Sequence, residues 1–367
     1  MKELRLMKGN EAIAEAAIRA GVDAYFGYPI TPQSEIMEYL VQHCPADGSM
    51  VVLQAESETA SINMVYGAAS AGRRVMTSSS SPGISLMAEG ISYLAGAELP
   101  CLIVNVARGG PGLGTIQPSQ SDYFQSVKGG GHGDYRLLVL APDSVQEMAD
   151  FVTLAFRLAF KYRNPVMILS DGVIGQMMEK VTLSPPLSER HNVVPWATTG
   201  KTSDRERNII TSLNLDPFKH ERHNQKLQAK YRQMEREETR YDSYLCEDAE
   251  YVIVAYGASA RISRKAVELA RAKGIRAGLF RPITLFPFPS AELKAATQQA
   301  GGLLSVEMSA GQMIEDVRLA TECSIPVQHF GRYGGVVHAP EEILEALEKL
   351  MPAVPEIHHP PWTPSEP

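Results

Sequence analysis

Leu99-Pro100-Cys101-Leu102-Ile103-Val104-Asn105-Val106-Ala107-Arg108-Gly109-Gly110-Pro111-Gly112 decides the fold. From Leu99 to Val106 the stretch is apolar and β-branched without polar alternation, the pattern of a strand covered on both faces in a parallel sheet. It ends on Arg108 and breaks into glycine. Two earlier pieces have a similar form, following or flanking a short apolar run and opening a turn or helix: Gly27-Tyr28-Pro29-Ile30-Thr31-Pro32 and Gln54-Ala55-Glu56-Ser57-Glu58. In a parallel sheet the loops at the strands' C-terminal ends gather along one edge, where ligands bind. A hydroxyl, a carboxylate and a guanidinium distant in sequence can therefore converge there.

Outward from this stretch, strand and helix alternate. The pattern predicts helices over 10–19, 31–43, 56–71, 84–94 and 144–162, and strands over 23–27, 49–53, 74–77, 137–140 and 166–169. Asn10 is a plausible N-cap. Thr31 caps the second helix, with Pro32 at its first position. Ser78–Gly83, Gly109–Gly114 and Gly129–Gly133 read as loops. This is an α/β domain with a parallel sheet. A charged segment follows, with one long polar helix over 221–240; lacking a broad apolar face, it lies across a surface, meets another subunit or stands solvated. A second α/β unit begins at Tyr251. It has strands over 251–257, 277–280, 302–306 and 327–330, helices over 259–273, from 313 and over 340–350, and a proline-rich turn over 282–289.

The chain has 367 residues, enough for two or three domains, and 44% hydrophobic residues, ordinary for a globular protein. Its formal net charge of −7 gives no pointer to nucleic acid. No run of about 18 apolar residues exists, so no membrane span is expected. The N-terminus, from Met1 to Lys8, is too charged for a signal peptide, and the expected location is the cytoplasm. Cys44, Cys101, Cys246 and Cys323 are far apart with no CxxC, so they read as buried or incidental thiols rather than as cluster or zinc ligands.

Neither GxxxxGK[ST] nor GxGxxG after a strand occurs, which disfavours a P-loop enzyme and a nicotinamide dehydrogenase. Arg108 at a strand end is the side chain that grips a carboxylate in a fork, or else it binds a neighbouring loop. Glu58 opens a helix carrying Ala60, Ser61, Ala68 and Ala69, small residues that admit a flat ligand. An acid in a first turn is also favoured by the helix dipole alone, and Glu56 is an equal candidate by composition. His132, in a glycine loop, is weak evidence for catalysis.

The three pieces together resemble the alpha subunit of 2-oxoacid:ferredoxin oxidoreductases. Tyr28-Pro29-Ile30-Thr31-Pro32 resembles that family's YPITP motif, and Ala107-Arg108-Gly109-Gly110-Pro111 its RGGP loop. Gln54–Gly67 resembles its cofactor-activating segment, in which the last Glu stands nine residues before a Gly; that selects Glu58 over Glu56. Gln120-Ser121-Asp122 agrees as well. The resemblance covers nearly the whole chain. It implies a pyrimidine-binding-type domain of thiamine-diphosphate enzymes (residues 1–180), the linker with its polar helix (181–250), a transketolase C-terminal-type α/β domain (251–351) and an extended, proline-rich tail (352–367).

The resemblance also implies function. Such a subunit takes part in coenzyme A-dependent oxidative decarboxylation of a 2-oxoacid, reducing ferredoxin. Glu58 would be catalytic, hydrogen-bonding the N1′ of the thiamine ring, with Pro29 and Ile30 at the cofactor and Thr31 and Arg108 at the substrate. General likeness, including Met7–Ala12 and Gln33-Ser34-Glu35, is to the branched-chain type acting on 3-methyl-2-oxobutanoate (2-ketoisovalerate); 2-oxoglutarate and other 2-oxoacids stay open. Two parts of the machine are missing here. One is the diphosphate–magnesium motif, whose nearest match, Ser170-Asp171-Gly172, reads as a strand-end turn. The other is the set of cysteines for an iron–sulfur cluster. The family places Mg2+ and [4Fe-4S] on a partner beta subunit, with gamma and ferredoxin-like delta subunits in some members. A hetero-oligomer with its active site at the alpha–beta interface is therefore expected. The rivals are the E1 beta-type subunit of a lipoyl-linked 2-oxoacid dehydrogenase and a non-catalytic scaffold subunit.

Overall fold

The structure, a computed structural model, describes residues 3–187 and 194–350. The expected tail over 352–367 and residues 188–193 of the expected linker lie outside the described residues.

In chain order comes β1 (Glu3–Lys8), a strand the sequence reading does not predict; α1 (Gly9–Arg19), β2 (Ala24–Gly27), α2 (Ser34–His43), β3 (Val51–Gln54), α3 (Glu58–Ser70), β4 (Val75–Ser79), α4 (Ser81–Gly96) and β5 (Cys101–Ala107) then alternate as the sequence predicts. β6 (Leu138–Leu140), α5 (Val145–Tyr162), β7 (Pro165–Asp171), α6 (Gly172–Gln176) and β8 (Met178–Leu183) complete this half. After α7 (Pro217–Glu237) come β9 (Tyr241–Tyr244), β10 (Tyr251–Ala255), α8 (Gly257–Ala272), β11 (Ala277–Pro282), β12 (Thr284–Phe286) and α9 (Ser290–Ala296). The described chain closes with β13 (Gly302–Glu307), α10 (Met313–Ala320), β14 (Val327–Gly331) and α11 (Pro340–Leu350).

The first sheet has seven strands in the order β12-β6-β7-β5-β4-β2-β3, all parallel except β12. Every residue of β5 is buried. Leu102, Val104 and Val106 pack with α1, α2 and α5 on one face, while Cys101 and Ile103 pack with α3 and α4 on the other. Two-sided burial is why the strand reads as an unbroken apolar run. Each such Leu, Ile or Val side chain stabilises by about 1.5–3 kcal/mol.

The second sheet runs β14-β13-β10-β11-β9, parallel but for β9. Ile253 and Ala255 face α8 and α11. Val252 and Val254 instead share a core with Tyr123, Leu137 and Val139 of the first half, so apolar packing is continuous between the two sheets.

Several elements depart from expectation. α2 starts at Ser34, not Thr31, because Pro32 and Gln33 are held in a turn: the Pro32 carbonyl accepts from Asn10 and Gln176. The fully buried Gln33 amide donates to the Tyr28 carbonyl and accepts from Ser78 Oγ at 2.6 Å. Asn10 thus spends its side chain on this turn rather than on a cap. Ser78–Gly83 is not a loop: β4 runs on through Ser79, and α4 begins at Ser81. The proline-rich turn contains β12, which leaves the second unit to pair antiparallel with β6. β8 carries the first half to Leu183 by pairing with β1. The polar helix α7 does lie across a surface, that of its own chain, burying Leu227, Tyr231 and Met234. Its Lys226 and Lys230 both reach Glu98. Burial pulls the Lys230 amine down to about 8, against the pull of Glu98.

Candidate functional site

The C-terminal ends of β2, β3, β4, β5 and β7 line up on one edge of the first sheet, because those strands are parallel. Arg108 follows β5 there and is buried. Its Nη1 donates to the Thr31 carbonyl at 3.0 Å and its Nη2 to the Leu113 carbonyl at 3.2 Å. Its buried Nε has no partner. The structure therefore brings Arg108 and Thr31 together, joined through the Thr31 backbone, while the Thr31 side chain stands in an exposed turn with Pro29 and Ile30 half-buried before it.

Glu58 is the first residue of α3, behind Ser57, whose Oγ accepts from the Ala60 N–H at 3.1 Å. Glu58 is 6% exposed, whereas Glu56 is solvent-exposed; burial separates two acids that composition cannot. Among the described residues the Glu58 carboxylate receives no hydrogen bond and forms no ion pair.

What joins the pieces is the first turn of α4, which sequence reasoning assigned to a loop. Ser81 Oγ accepts from the Arg108 N–H at 2.9 Å and lies 2.7 Å from an Asp122 oxygen. Two residues on, in the same first turn, Gly83 lies against Glu58: a Cβ there would fall 2.7 Å from Glu58 Oε1. Asp122 also accepts from Asn105 at 2.9 Å. Burial raises its pKa, and these two hydrogen bonds oppose the rise. The signal that could have revealed this turn was Ser80-Ser81-Pro82, a cap-like serine with proline in the first turn.

The second unit braces the same edge. Gln120 Nε2 donates to the Tyr256 carbonyl at 2.8 Å, and its Oε1 accepts from Ser259 and from the Met308 N–H. Asp171 is indeed a strand-end residue, but it does more than turn the chain. Its carboxylate caps α6 through Val173 and Ile174 and accepts from Ala258 at the start of α8. Burial pushes the Asp171 carboxyl up to about 6, against those three N–H groups. Between the Gly109–Gly114 loop and the second unit lies a cleft of about 670 Å³, walled by Ser81, Pro82, Pro111, Asp122, Met308 and Tyr333.

Residues 15–244 match the family described as pyruvate flavodoxin/ferredoxin oxidoreductase, thiamine diP-bdg, and residues 249–343 match pyruvate:ferredoxin oxidoreductase core domain II. The chain belongs to the 2-oxoacid:ferredoxin oxidoreductase family. It is 53% identical to the ketoisovalerate oxidoreductase subunit VorB of Methanothermobacter thermautotrophicus, over 94% of this chain and 97% of that one. It is 38% identical to the 2-oxoglutarate synthase subunit KorA of the same organism, over 95% and 100%. Among solved structures it matches 2-oxoglutarate:ferredoxin oxidoreductase from Magnetococcus marinus, with 2-oxoglutarate, coenzyme A and succinyl-CoA bound, at a TM-score of 0.84 and 30% identity. That match covers 95% of this chain and 65% of the other. An inactive beta4 tetramer of a split-gene transketolase, 14% identical with a TM-score of 0.59, shares the fold, covering 94% of this chain and 98% of that one.

For this 2-oxoacid:ferredoxin oxidoreductase subunit, the edge residues fit one end of thiamine diphosphate. Glu58 offers a buried, uncommitted acceptor, Gly83 leaves a gap that a Cβ would fill, and the Ser79 and Ser80 hydroxyls are buried without partners. Among the described residues no group of three His, Cys, Asp or Glu side chains could by itself hold a metal ion. Asp171 is committed to helix N-termini. His132 stays outside the site, exposed beside Ser92 and Tyr93, roughly 15 Å along α4 from its first turn. The cysteines are free, and no helix among the described residues is long and apolar enough to cross a membrane.

Proposed function

We propose that this chain is the thiamine-activating subunit of a cytoplasmic 3-methyl-2-oxobutanoate (2-ketoisovalerate):ferredoxin oxidoreductase. The observation that carries the reading is the buried Glu58, whose carboxylate has no hydrogen-bond or ion-pair partner among the described residues and lies against Gly83, two residues along α4 from the Ser81 that holds Arg108. The preference for a branched-chain acid is supported by the 53% identity to a ketoisovalerate oxidoreductase subunit, against 38% to a 2-oxoglutarate synthase subunit.

Bound thiamine diphosphate supplies a carbon nucleophile and an electron sink for decarboxylation. Glu58 accepts a hydrogen bond at the ring's N1′ end, with Pro29 and Ile30 against the cofactor. Arg108 and Thr31 hold the substrate, the guanidinium pairing with the carboxylate that will leave as carbon dioxide. Arg108 suits this because its Nε is buried and unpaired and its two Nη atoms are steadied by carbonyls rather than neutralised by an acid. Mg2+, the diphosphate site and a [4Fe-4S] cluster belong to a partner beta subunit, the active site lies at the interface with it, and coenzyme A takes the acyl group. Electrons pass from the cluster to ferredoxin, with a ferredoxin-like subunit on the path where the assembly includes one.

The test is anaerobic purification through a tag on this chain, with identification of co-purifying chains, assays of iron and thiamine diphosphate, and turnover on a 2-oxoacid panel. The expected result is a cluster-bearing partner, both cofactors and the highest kcat/KM with 3-methyl-2-oxobutanoate. A higher value with 2-oxoglutarate would transfer the assignment to that substrate, the alternative supported by the 38% relative and the Magnetococcus structure. Reduction of lipoamide in place of ferredoxin would favour a lipoyl-linked dehydrogenase. A lone, colourless, inactive chain would leave only a scaffold.

A further inference from the structure

We propose that Gly83 and Ser79 are positioning residues for Glu58, forming a socket that sets where its carboxylate points. The inference rests on the reading of Glu58 given above. Gly83 occupies the first turn of α4 with a backbone outside the left-handed region, so its conformation does not require glycine. Glycine is intrinsically unfavourable in a helix. Its use here has another cause: a Cβ would fall 2.0 Å from Ser79 Oγ, 2.7 Å from Glu58 Oε1 and 2.8 Å from Glu58 Cγ. No side chain tolerates such distances, yet all three nearest atoms belong to the Ser79 and Glu58 side chains and none of them is backbone. An added methyl would therefore displace the carboxylate and the hydroxyl before it broke the fold.

Ser79 forms the other wall. It is fully buried and its Oγ has no hydrogen-bond partner, a standing cost that a structure keeps only where something answers it. Ser78 bonds Tyr25 and Gln33, and Ser81 bonds Arg108 and Asp122; Ser80 is also without a partner, but of the two unengaged hydroxyls only that of Ser79 lies against the point shared with Glu58. The Glu58 carboxylate is equally uncommitted and lies against the same empty point above Gly83. Ser79 thus has a donor to offer, and Glu58 has two oxygens to satisfy. The two are not hydrogen-bonded as they stand, but Ser79 Oγ and Glu58 Oε1 lie 2.0 and 2.7 Å from one point, so a small side-chain movement lets Ser79 donate to one oxygen and leaves the other for the N1′ end of the thiamine ring. No bond is made or broken by either residue; both act through Glu58.

The experiment places Gly83→Ala and Ser79→Ala in the assembled complex, with Glu58→Gln as reference. It reads bound thiamine diphosphate, the melting midpoint, the near-ultraviolet circular dichroism of the bound ring and the rate of hydrogen–deuterium exchange at thiamine C2. Gly83→Ala is expected to keep cofactor content and melting midpoint while slowing C2 exchange about 100-fold, the scale of a misplacement near 1 Å. The tautomer band should fall with it. Ser79→Ala, which removes only an oxygen, is expected to slow exchange about tenfold, the loss of one hydrogen bond. Wild-type exchange and dichroism in Ser79→Ala or in a folded Gly83→Ala, with Glu58→Gln impaired, overturns the inference and leaves the functional reading standing. If Gly83→Ala fails to assemble, Ser79→Ala decides alone. Wild-type exchange in Glu58→Gln would instead overturn the functional reading, and this inference with it.

Discussion

Gln120→Ala tests how the second unit supports the site. The Gln120 side chain makes hydrogen bonds to the Tyr256 carbonyl, the Ser259 hydroxyl and the Met308 N–H, all buried. Truncation leaves each of these groups without its partner, at about 1–3 kcal/mol apiece. It also removes one buried methylene, roughly 0.8 kcal/mol. Water entering the gap offsets part of this, so about 4 kcal/mol is the expected loss, a large share of the roughly 5–15 kcal/mol of a domain's stability. The assay is urea unfolding of the full chain, with hydrogen exchange followed by mass spectrometry over the Tyr256–Ser259 and Met308 segments. Both segments should lose protection, since the Gln120 side chain bonds to each of them, alongside the Asp171–Ala258 and Ser119–Met308 bonds that truncation leaves in place. Gln120→Glu gives the matching sign test. A neutral carboxyl can still donate to the Tyr256 carbonyl, but a carboxylate cannot, so the new group's pKa is raised in the folded state. Its stability contribution is present below the ordinary Glu value of about 4.3 and is lost as pH rises through the raised value. A Gln120→Ala protein within about 1 kcal/mol of wild type, with exchange unchanged, would refute the reasoning.

Three further outcomes are expected. Arg108→Lys in the assembled enzyme should lower kcat/KM for the 2-oxoacid about 10- to 100-fold, the value of one lost charge-assisted hydrogen bond; steady-state kinetics on unchanged parameters would remove Arg108 from the substrate site. Met234→Ala should destabilise by about 2–5 kcal/mol, because Met234 is fully buried beneath α7; an unchanged urea midpoint would mean that the helix does not dock. Burial, aided by Arg332, lowers the His338 imidazole to about 4, so the folded chain refuses a proton that the unfolded chain takes near 6.5. That stability contribution is present above about pH 6.5 and lost as pH falls towards 4. His338→Phe, beside the Phe330 ring, should flatten the pH dependence of the melting midpoint between these limits, and an unaltered slope would contradict this.

The parts of the fold legible in the sequence are those dictated locally. β5 announces itself because both its faces are buried, and α5 because Ser144 caps it at the Glu147 N–H. The parts that were not legible depend on remote partners. Ser78 and Ser79 look like a loop by composition. They are strand because their side chains are buried: Tyr25 and Gln33 answer Ser78, and nothing in the sequence names those partners. Thr31-Pro32 has the form of a helix start, yet Asn10 and Gln176 hold Pro32 in a turn from elsewhere in the chain. β12 lies between Pro282 and Pro287, too short for a periodicity to register, and its pairing with β6 crosses between the units. At the site, the resemblance to the family's motifs singled out Glu58, Thr31 and Arg108. It did not disclose that α4 joins them, because Gly83 and Ser81 contribute a missing atom and a hydroxyl rather than a reactive group.

The central claim is that Glu58 of this chain activates the thiamine cofactor. Its most direct test is 3-methyl-2-oxobutanoate-dependent ferredoxin reduction by the assembled complex with Glu58→Gln, at matched cofactor and iron content. The account predicts a loss of at least about 100-fold with thiamine diphosphate still bound, the order seen when one group that acts at the reacting centre is removed. Turnover within about twofold of wild type would contradict it.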